Sequence, residues 1–169
     1  YTNAELAWHY LKWALVIAAD VNDGALELAR AHGAHWTLNP SREAPGPKIH
    51  EITSGRGVDL VLEGVGRQAT MSWSLPTLKK GGRCVMMGYD PVNPVPIPML
   101  PMHNYEWTVC GTKVSTRQEL QEVIRAVERR QIRPVVTRRL PLQDANQGLA
   151  AIRRGETQGR TVLVMESAR

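Results

Sequence analysis

The run Leu15-Val-Ile-Ala-Ala-Asp20 has the character of a buried strand and ends in an acid, and a helix pattern follows at once. In Gly24-Ala-Leu-Glu-Leu-Ala-Arg-Ala-His32 the apolar residues recur at helical spacing. Asn22 or Asp23 can cap that helix, and Gly33 can end it. A strand that leads through a short turn into a helix pairs with the next strand by crossover, and crossovers make parallel neighbours. If the unit repeats, the chain is constrained to a parallel sheet covered by helices.

The unit does repeat. Residues 34–39 read as a short strand, 40–47 as a polar loop with proline, and 48–53 as a short helix, closed by the turn Ser54-Gly-Arg-Gly57. Val58-Asp-Leu-Val-Leu-Glu63 is the next strand. Gly64-Val-Gly66 turns it into a helix expected over 68–80 and closed by Gly81-Gly82. Arg83-Cys-Val-Met-Met-Gly88 is another strand, and residues 90–101 are rich in proline and predicted to be non-helical. Residues 105–112 read as a strand and 116–131 as a charged amphipathic helix. After Arg133-Pro134 come a strand over 135–140, a helix over 143–154 and a strand over 160–165. This tail either closes the same sheet or belongs to a second domain. Residues 4–13, ahead of the first strand, carry helical spacing of their own. The predicted fold class is α/β, a doubly wound parallel sheet.

Composition narrows the function. The 169 residues can bury one core, or one domain and part of a second. No apolar run approaches the roughly 20 residues that cross a bilayer, and the N-terminus lacks the ordered parts of a secretory signal. The expectation is a cytoplasmic protein with no membrane partner. Cys84 and Cys110 sit in apolar strand-like runs and read as two buried thiols, with a disulfide between neighbouring strand ends left open. They are too few for an all-thiolate structural zinc site. The net charge is +5, with arginines concentrated at 125, 129, 130, 133, 138 and 139. Without interleaved aromatics this reads as a solvated helix end, and no nucleic-acid partner is expected.

Two acids compete as the mark of a bound nucleotide. Gly64-Val-Gly66-Arg-Gln-Ala69 matches G-x-G-x-x-A between a strand and a helix, and the strand after that helix ends near Asp90. The distance from Gly64 to Asp90 is somewhat longer than the usual ~20 residues from motif to acid. Asp20, by contrast, ends its strand directly. A carboxylate there can accept hydrogen bonds from both ribose hydroxyls and repel a 2′-phosphate, which selects NAD over NADP. The other reading of Asp20 is a cap on the helix that follows. The pattern alone leaves these open.

An ordered set of phrases bears on the choice. Val16-Ile-Ala-Ala-Asp20, Leu26-Glu-Leu-Ala-Arg-Ala-His-Gly-Ala34, Gly57-Val-Asp-Leu-Val-Leu-Glu63, Val65-Gly-Arg67, Leu78-Lys-Lys-Gly-Gly-Arg83, Gly111-Thr112, Ile132-Arg-Pro-Val135 and Gly159-Arg-Thr-Val-Leu-Val164 follow one another. Together they resemble the C-terminal half of a medium-chain, zinc-dependent alcohol dehydrogenase. The resemblance implies a Rossmann-like NAD-binding domain over residues 1–133 and a return segment of the catalytic domain over 134–169. It implies that Asp20 meets the adenosine ribose and that Val65, Gly66 and Arg67 pack along the cofactor. It places Gly88 and Tyr89 beside the nicotinamide, Cys110, Gly111 and Thr112 at its carboxamide, and Arg160 at the pyrophosphate.

Against the family's pattern, the first strand and the Gly-rich phosphate loop are missing, with only Ala4 placed to be the loop's last small residue. The five histidines are scattered, and no Cys/His/Glu set has zinc-ligand spacing. Zinc in this family lowers the pKa of the alcohol. The chain therefore reads as a fragment, the cofactor half of an NAD-dependent, zinc-type alcohol or polyol dehydrogenase, with no activity alone. A small alcohol is its substrate only together with the missing half. The alternative is a non-catalytic NAD-binding or protein-interaction module. The family's habit of pairing subunits also implies a homodimer through strand 105–112, the other reading of that strand being an edge covered by the Pro-rich loop.

Overall fold

The computed structural model describes residues 15–165. The helix expected over 4–13 and the end of the phosphate loop expected at Ala4 lie outside the described residues. Among the described residues seven strands and six helices alternate. They are β1 (Ile17–Ala19), α1 (Asp23–Ala31), β2 (Trp36–Leu38), α2 (Pro45–Ile52), β3 (Val58–Glu63), α3 (Gln68–Ser74), β4 (Leu78–Met86), α4 (Met99–Asn104), β5 (Thr108–Gly111), α5 (Arg117–Glu128), β6 (Val136–Pro141), α6 (Ala145–Arg153) and β7 (Arg160–Val164). The described residues divide into two compact units, one of 38–117 and one of 15–37 with 118–165.

In the unit of residues 38–117, β3, β4 and β5 form a parallel sheet in that order. Register places Val61, Cys84 and Val109 side by side on one face. That face packs against Met71 and Leu75 of the α3 segment, with Leu78 and Trp107 completing the buried cluster. The Trp107 indole also donates to the Lys79 carbonyl at 3.1 Å, which satisfies its one polar atom. The opposite face carries Leu60 and Leu62, each more than a third exposed. β5 stands at the sheet's edge.

In the other unit β1 pairs with β2, and β6 pairs with β7 in parallel. Asn22 caps α1 by accepting the Ala25 N–H at 3.2 Å. Gly33 follows the helix with a positive φ of 99°, in the place expected of a terminating glycine. Ala29 and Ala34 are buried against Val16 and Ala18 of the first strand region. Small residues here let the helix approach the strand closely.

Several expected boundaries move. The helix expected over 68–80 ends at Ser74, and a 3-10 turn over Leu75–Thr77 leads into β4. Pro76 has no N–H to continue an α-helix. Lys79, Lys80, Gly81 and Gly82 are therefore strand residues, and Gly81 N–H donates to the Tyr105 carbonyl at 2.8 Å. The Pro-rich segment predicted non-helical turns into α4 at Met99, with Pro98 before it and Pro101 in its first turn. A proline near a helix start loses no intrahelical bond. The strand expected over 105–112 starts at Thr108, because Glu106 has a left-handed backbone, φ 55°. Of the two thiols expected to be buried, Cys84 is fully buried and Cys110 is half-buried, and both are free.

Candidate nucleotide site

β3 and β4 end side by side, and each is followed by a loop with a glycine. Glu63, the last residue of β3, is only 5% exposed. Its carboxylate accepts the Gly66 N–H at 2.5 Å and the Val65 N–H at 3.3 Å. Its own carbonyl accepts the N–H groups of Met87 at 2.8 Å and Gly88 at 3.1 Å. The buried carboxylate thus fastens the loop after β3, and the main-chain carbonyl of the same residue fastens the loop after β4.

The expected residues Val65, Gly66, Arg67, Gly88 and Tyr89 come together at this end of the sheet. Gly66 has φ +71°, and its backbone touches those of Gly88 and Tyr89. Val65 and Tyr89 are exposed, and Tyr89 is 76% accessible. Arg67 occupies the N-cap position of α3 with its side chain exposed. On the next strand, Thr112 N–H donates to the Met86 carbonyl at 3.0 Å. A Cβ built on Gly64 or Gly111 would meet nothing within 4 Å, so open space lies beside both strand ends. Cys110 Sγ lies 3.7 Å from the Cys84 carbonyl, turned along the sheet. Burial pushes the Cys84 thiol up to about 11, helped by the Glu63 charge and then by Cys110.

The two competing acids stand in different surroundings. A phosphate loop presents free N–H groups to an anion. Here the N–H groups of Val65 and Gly66 already serve a buried carboxylate, which would repel a phosphate. Gly64–Ala69 matches the phosphate motif in spelling, and Gly66 is needed for the close crossing with Gly88. Asp90 is likewise committed to its own loop. Its carboxylate accepts Val92 N–H at 2.9 Å, Asn93 N–H at 3.0 Å and the Asn93 side-chain amide at 3.1 Å. The Val92 N–H first, and then the Asn93 groups, hold it below the usual carboxylate range.

In the other unit Asp20 follows β1 and is exposed. Its Oδ1 accepts the Asn22 N–H at 2.9 Å, while Asn22 itself caps α1. The reading of Asp20 as the helix cap is therefore corrected. Arg160 opens β7 with an exposed side chain, and its N–H donates to the Val135 carbonyl at 2.7 Å. The side-chain amide of Gln158, two residues earlier, fills the space that a Cβ on Gly24 would occupy. The segment leading into β7 thus lies against the first turn of α1.

Among the described residues no three His, Cys, Asp or Glu side chains come together as metal ligands. The chemistry of the individual groups agrees. Cys84 lies inside the sheet core, His35 Nδ1 accepts the Val16 N–H, and His32 Nδ1 lies 2.8 Å from the Leu28 carbonyl. These residues do not fit a zinc ion. A cavity of about 830 Å³ in the unit of 38–117 lies elsewhere, among Met71, Lys79, Lys80, Ile97, Tyr105 and Trp107. It sits toward the start of β4, away from the glycine crossing at the strand's far end. Among the described residues no helix is long and apolar enough to cross a membrane.

Glu63 is the site residue that the sequence analysis missed. The signal was present: an acid at the last position of an apolar strand, directly before a glycine pair. An acid at the end of an apolar strand is also what drew attention to Asp20.

Comparison with known proteins places these features. Residues 9–129 match the zinc-binding dehydrogenase family. An NAD-dependent alcohol dehydrogenase of Sulfolobus acidocaldarius is 32% identical over 148 residues, covering 88% of this chain and 42% of that protein. An L-threonine 3-dehydrogenase of Bacillus licheniformis is 32% identical over 157 residues, covering 89% and 44%. Among solved structures, the alcohol dehydrogenase TADH of Thermus sp. ATN1 superposes with a TM-score of 0.88 at 28% identity, over 96% of this chain and 47% of that one. The alcohol dehydrogenase of Aeropyrum pernix gives 0.85 at 29% identity, over 95% and 45%. The chain spans less than half the length of these relatives. The α/β class and the Rossmann-like arrangement expected from the sequence are shown by these structures.

Proposed function

Because this chain belongs to the zinc-binding dehydrogenase family, the medium-chain alcohol dehydrogenases, we propose that it supplies the NAD-binding part of an alcohol or polyol dehydrogenase. The observation that carries the reading is Asp20, an exposed carboxylate at the end of an apolar strand whose helix is capped by Asn22 instead. One oxygen orders the turn, and the other has no partner among the described residues. That is the arrangement a ribose needs, and a negative charge there disfavours a 2′-phosphate. The relatives' description as NAD-dependent supports the same choice.

In this reading Asp20 binds the adenosine ribose and Arg160 the pyrophosphate, as guanidinium groups pair well with phosphate oxygens. Val65, Gly66 and Arg67, with Gly88 and Tyr89, line the nicotinamide half, and Cys110, Gly111 and Thr112 present backbone groups to the carboxamide. The open space beside Gly64 and Gly111 fits a flat ring that must approach backbone closely. When bound, NAD accepts the hydride that an alcohol carbon gives up. Residues 1–133 form the nucleotide domain and 134–169 the return segment of the catalytic domain. In the parent family zinc activates the alcohol, and the described residues bring no three His, Cys, Asp or Glu side chains together. The expected outcome for the chain alone is no alcohol-dependent NADH formation. The edge position of β5 supports pairing of two copies through that strand.

Titration calorimetry of the purified chain with NAD and NADP tests the proposal. Binding of NAD, tighter than that of NADP, is the expected result. Binding of neither, or a preference for NADP, would overturn it.

A further inference from the structure

Glu63 is a buried acid whose partners are all backbone. Its carboxylate meets the N–H groups of Val65 and Gly66, and its carbonyl meets those of Met87 and Gly88. Among the described residues it makes no ion pair with a lysine, arginine or histidine. A carboxylate in such a place is costly unless hydrogen bonds hold its charge, and an apolar residue would end the strand at lower cost. The return for that cost is visible in the loops. Without the carboxylate, the Val65 and Gly66 amides lose the acceptor that turns them inward, and the Gly66 side of the crossing loses one of its two restraints.

We propose that Glu63 is a positioning residue that shapes the paired loops after β3 and β4 for the nicotinamide half of the cofactor. The inference rests on the NAD reading above and adds a residue and a cause to it. By consuming the two amide donors, Glu63 also removes a phosphate site from this end of the sheet. The loop is left to pack against an uncharged ribose and ring, while phosphate recognition belongs to other residues. The effect is confined to one half of the ligand. Among the described residues Glu63 bonds only to these two loops, and the adenosine half is left unchanged.

The test compares NADH with ADP, which lacks both the nicotinamide and its ribose, on the wild-type chain and on Glu63→Gln. Glutamine keeps the shape and one acceptor, and it sets an NH₂ group against a backbone N–H that needs an acceptor. The expected result is a Kd for NADH raised about tenfold, in line with loss of one charged hydrogen bond. The Kd for ADP should stay within about twofold. Equal NADH affinity in the two proteins overturns the inference, and so does a parallel loss for both ligands, which marks a general loss of structure. Wild-type protein that binds neither ligand overturns the NAD reading itself, and this inference with it. Amide hydrogen exchange on the wild-type chain gives a check that needs no variant. The Val65 and Gly66 amides should exchange slowly without ligand, and exchange as fast as that of an open loop overturns the inference.

Discussion

Gly66 and Gly88 cross with their backbones in contact. A Cβ on Gly66 would lie 2.3 Å from the carbonyl carbon of Gly88, and one on Gly88 would lie 2.3 Å from the carbonyl oxygen of Gly64. No side chain fits between them, so the two loops hold one another at the distance of bare backbone. The motif-like spacing of glycines in 64–69 serves this crossing.

Alanine at either position should therefore be destabilising. At Gly66 the left-handed backbone and the contact act together, and the cost should be about 2–4 kcal/mol. Gly55 supplies the control. Its φ is +80°, but a Cβ there meets nothing within 4 Å. Gly55→Ala should cost only about 1–2 kcal/mol, the price of the backbone conformation. Urea unfolding of the three variants checks the order, and equal losses at Gly55 and Gly66 would remove the contact as a cause.

Legibility in the sequence varied with the kind of signal. Strands such as Val58–Glu63 and the cap at Asn22 are local, and composition and spacing reveal them. The start of β4 was not legible, because Leu78-Lys-Lys-Gly-Gly82 has no strand pattern. It is a strand because Lys79 O meets the Trp107 indole and Gly81 N meets Tyr105 O, both more than twenty residues away. The role of Glu63 was hidden for a related reason. Its partners Val65 and Gly66 are near in sequence, but Met87 and Gly88 arrive only when the parallel register forms. Asp90 is set aside on its spacing, and the turn that uses both of its oxygens is a reason the sequence does not display.

Asp20→Asn should weaken NAD binding about tenfold or more, since it removes a charged acceptor from the ribose hydroxyls. It should weaken NADP binding far less, because the repulsion of the 2′-phosphate goes with the charge. The ratio of the two affinities, measured by titration calorimetry, therefore narrows toward one. An unchanged ratio would separate Asp20 from the choice of cofactor. Asn22→Ala should instead lower stability by about 1 kcal/mol through loss of the cap, with the ratio unaffected.

The two thiols should differ in reactivity. Cys84 is fully buried with its thiol pushed up to about 11, whereas Cys110 is half-buried. At pH 8 a thiol at that value is about one part in a thousand thiolate. Alkylation followed by peptide mass mapping should label Cys110 well before Cys84. The sign of the pH effect on stability follows from the raised value. The folded protein holds the Cys84 proton more tightly than the unfolded chain, whose thiol titrates near 9. The stability tied to that proton is present below pH 9 and is lost as pH rises from about 9 to 11. Thermal unfolding of Cys84→Ala should decline less over this range than the wild type does.

Asp59 sits between Arg56 at 2.6 Å and Lys79 at 2.5 Å. The Arg56 guanidinium first, and then the Lys79 ammonium, hold its carboxyl well below the usual carboxylate range. All three side chains are substantially exposed, so water and salt screen the attraction. Asp59→Asn should therefore lower Tm at pH 7 by no more than about 3 °C. Here the folded value is depressed, so the stability is present above the unfolded value of 3.8 and is lost as pH falls below it. The gap in Tm between wild type and variant should close as pH falls from 4 toward 2, and it should shrink at pH 7 when salt is raised to 1 M. A gap that holds its size in acid would mean that Asp59 acts through shape and not through charge.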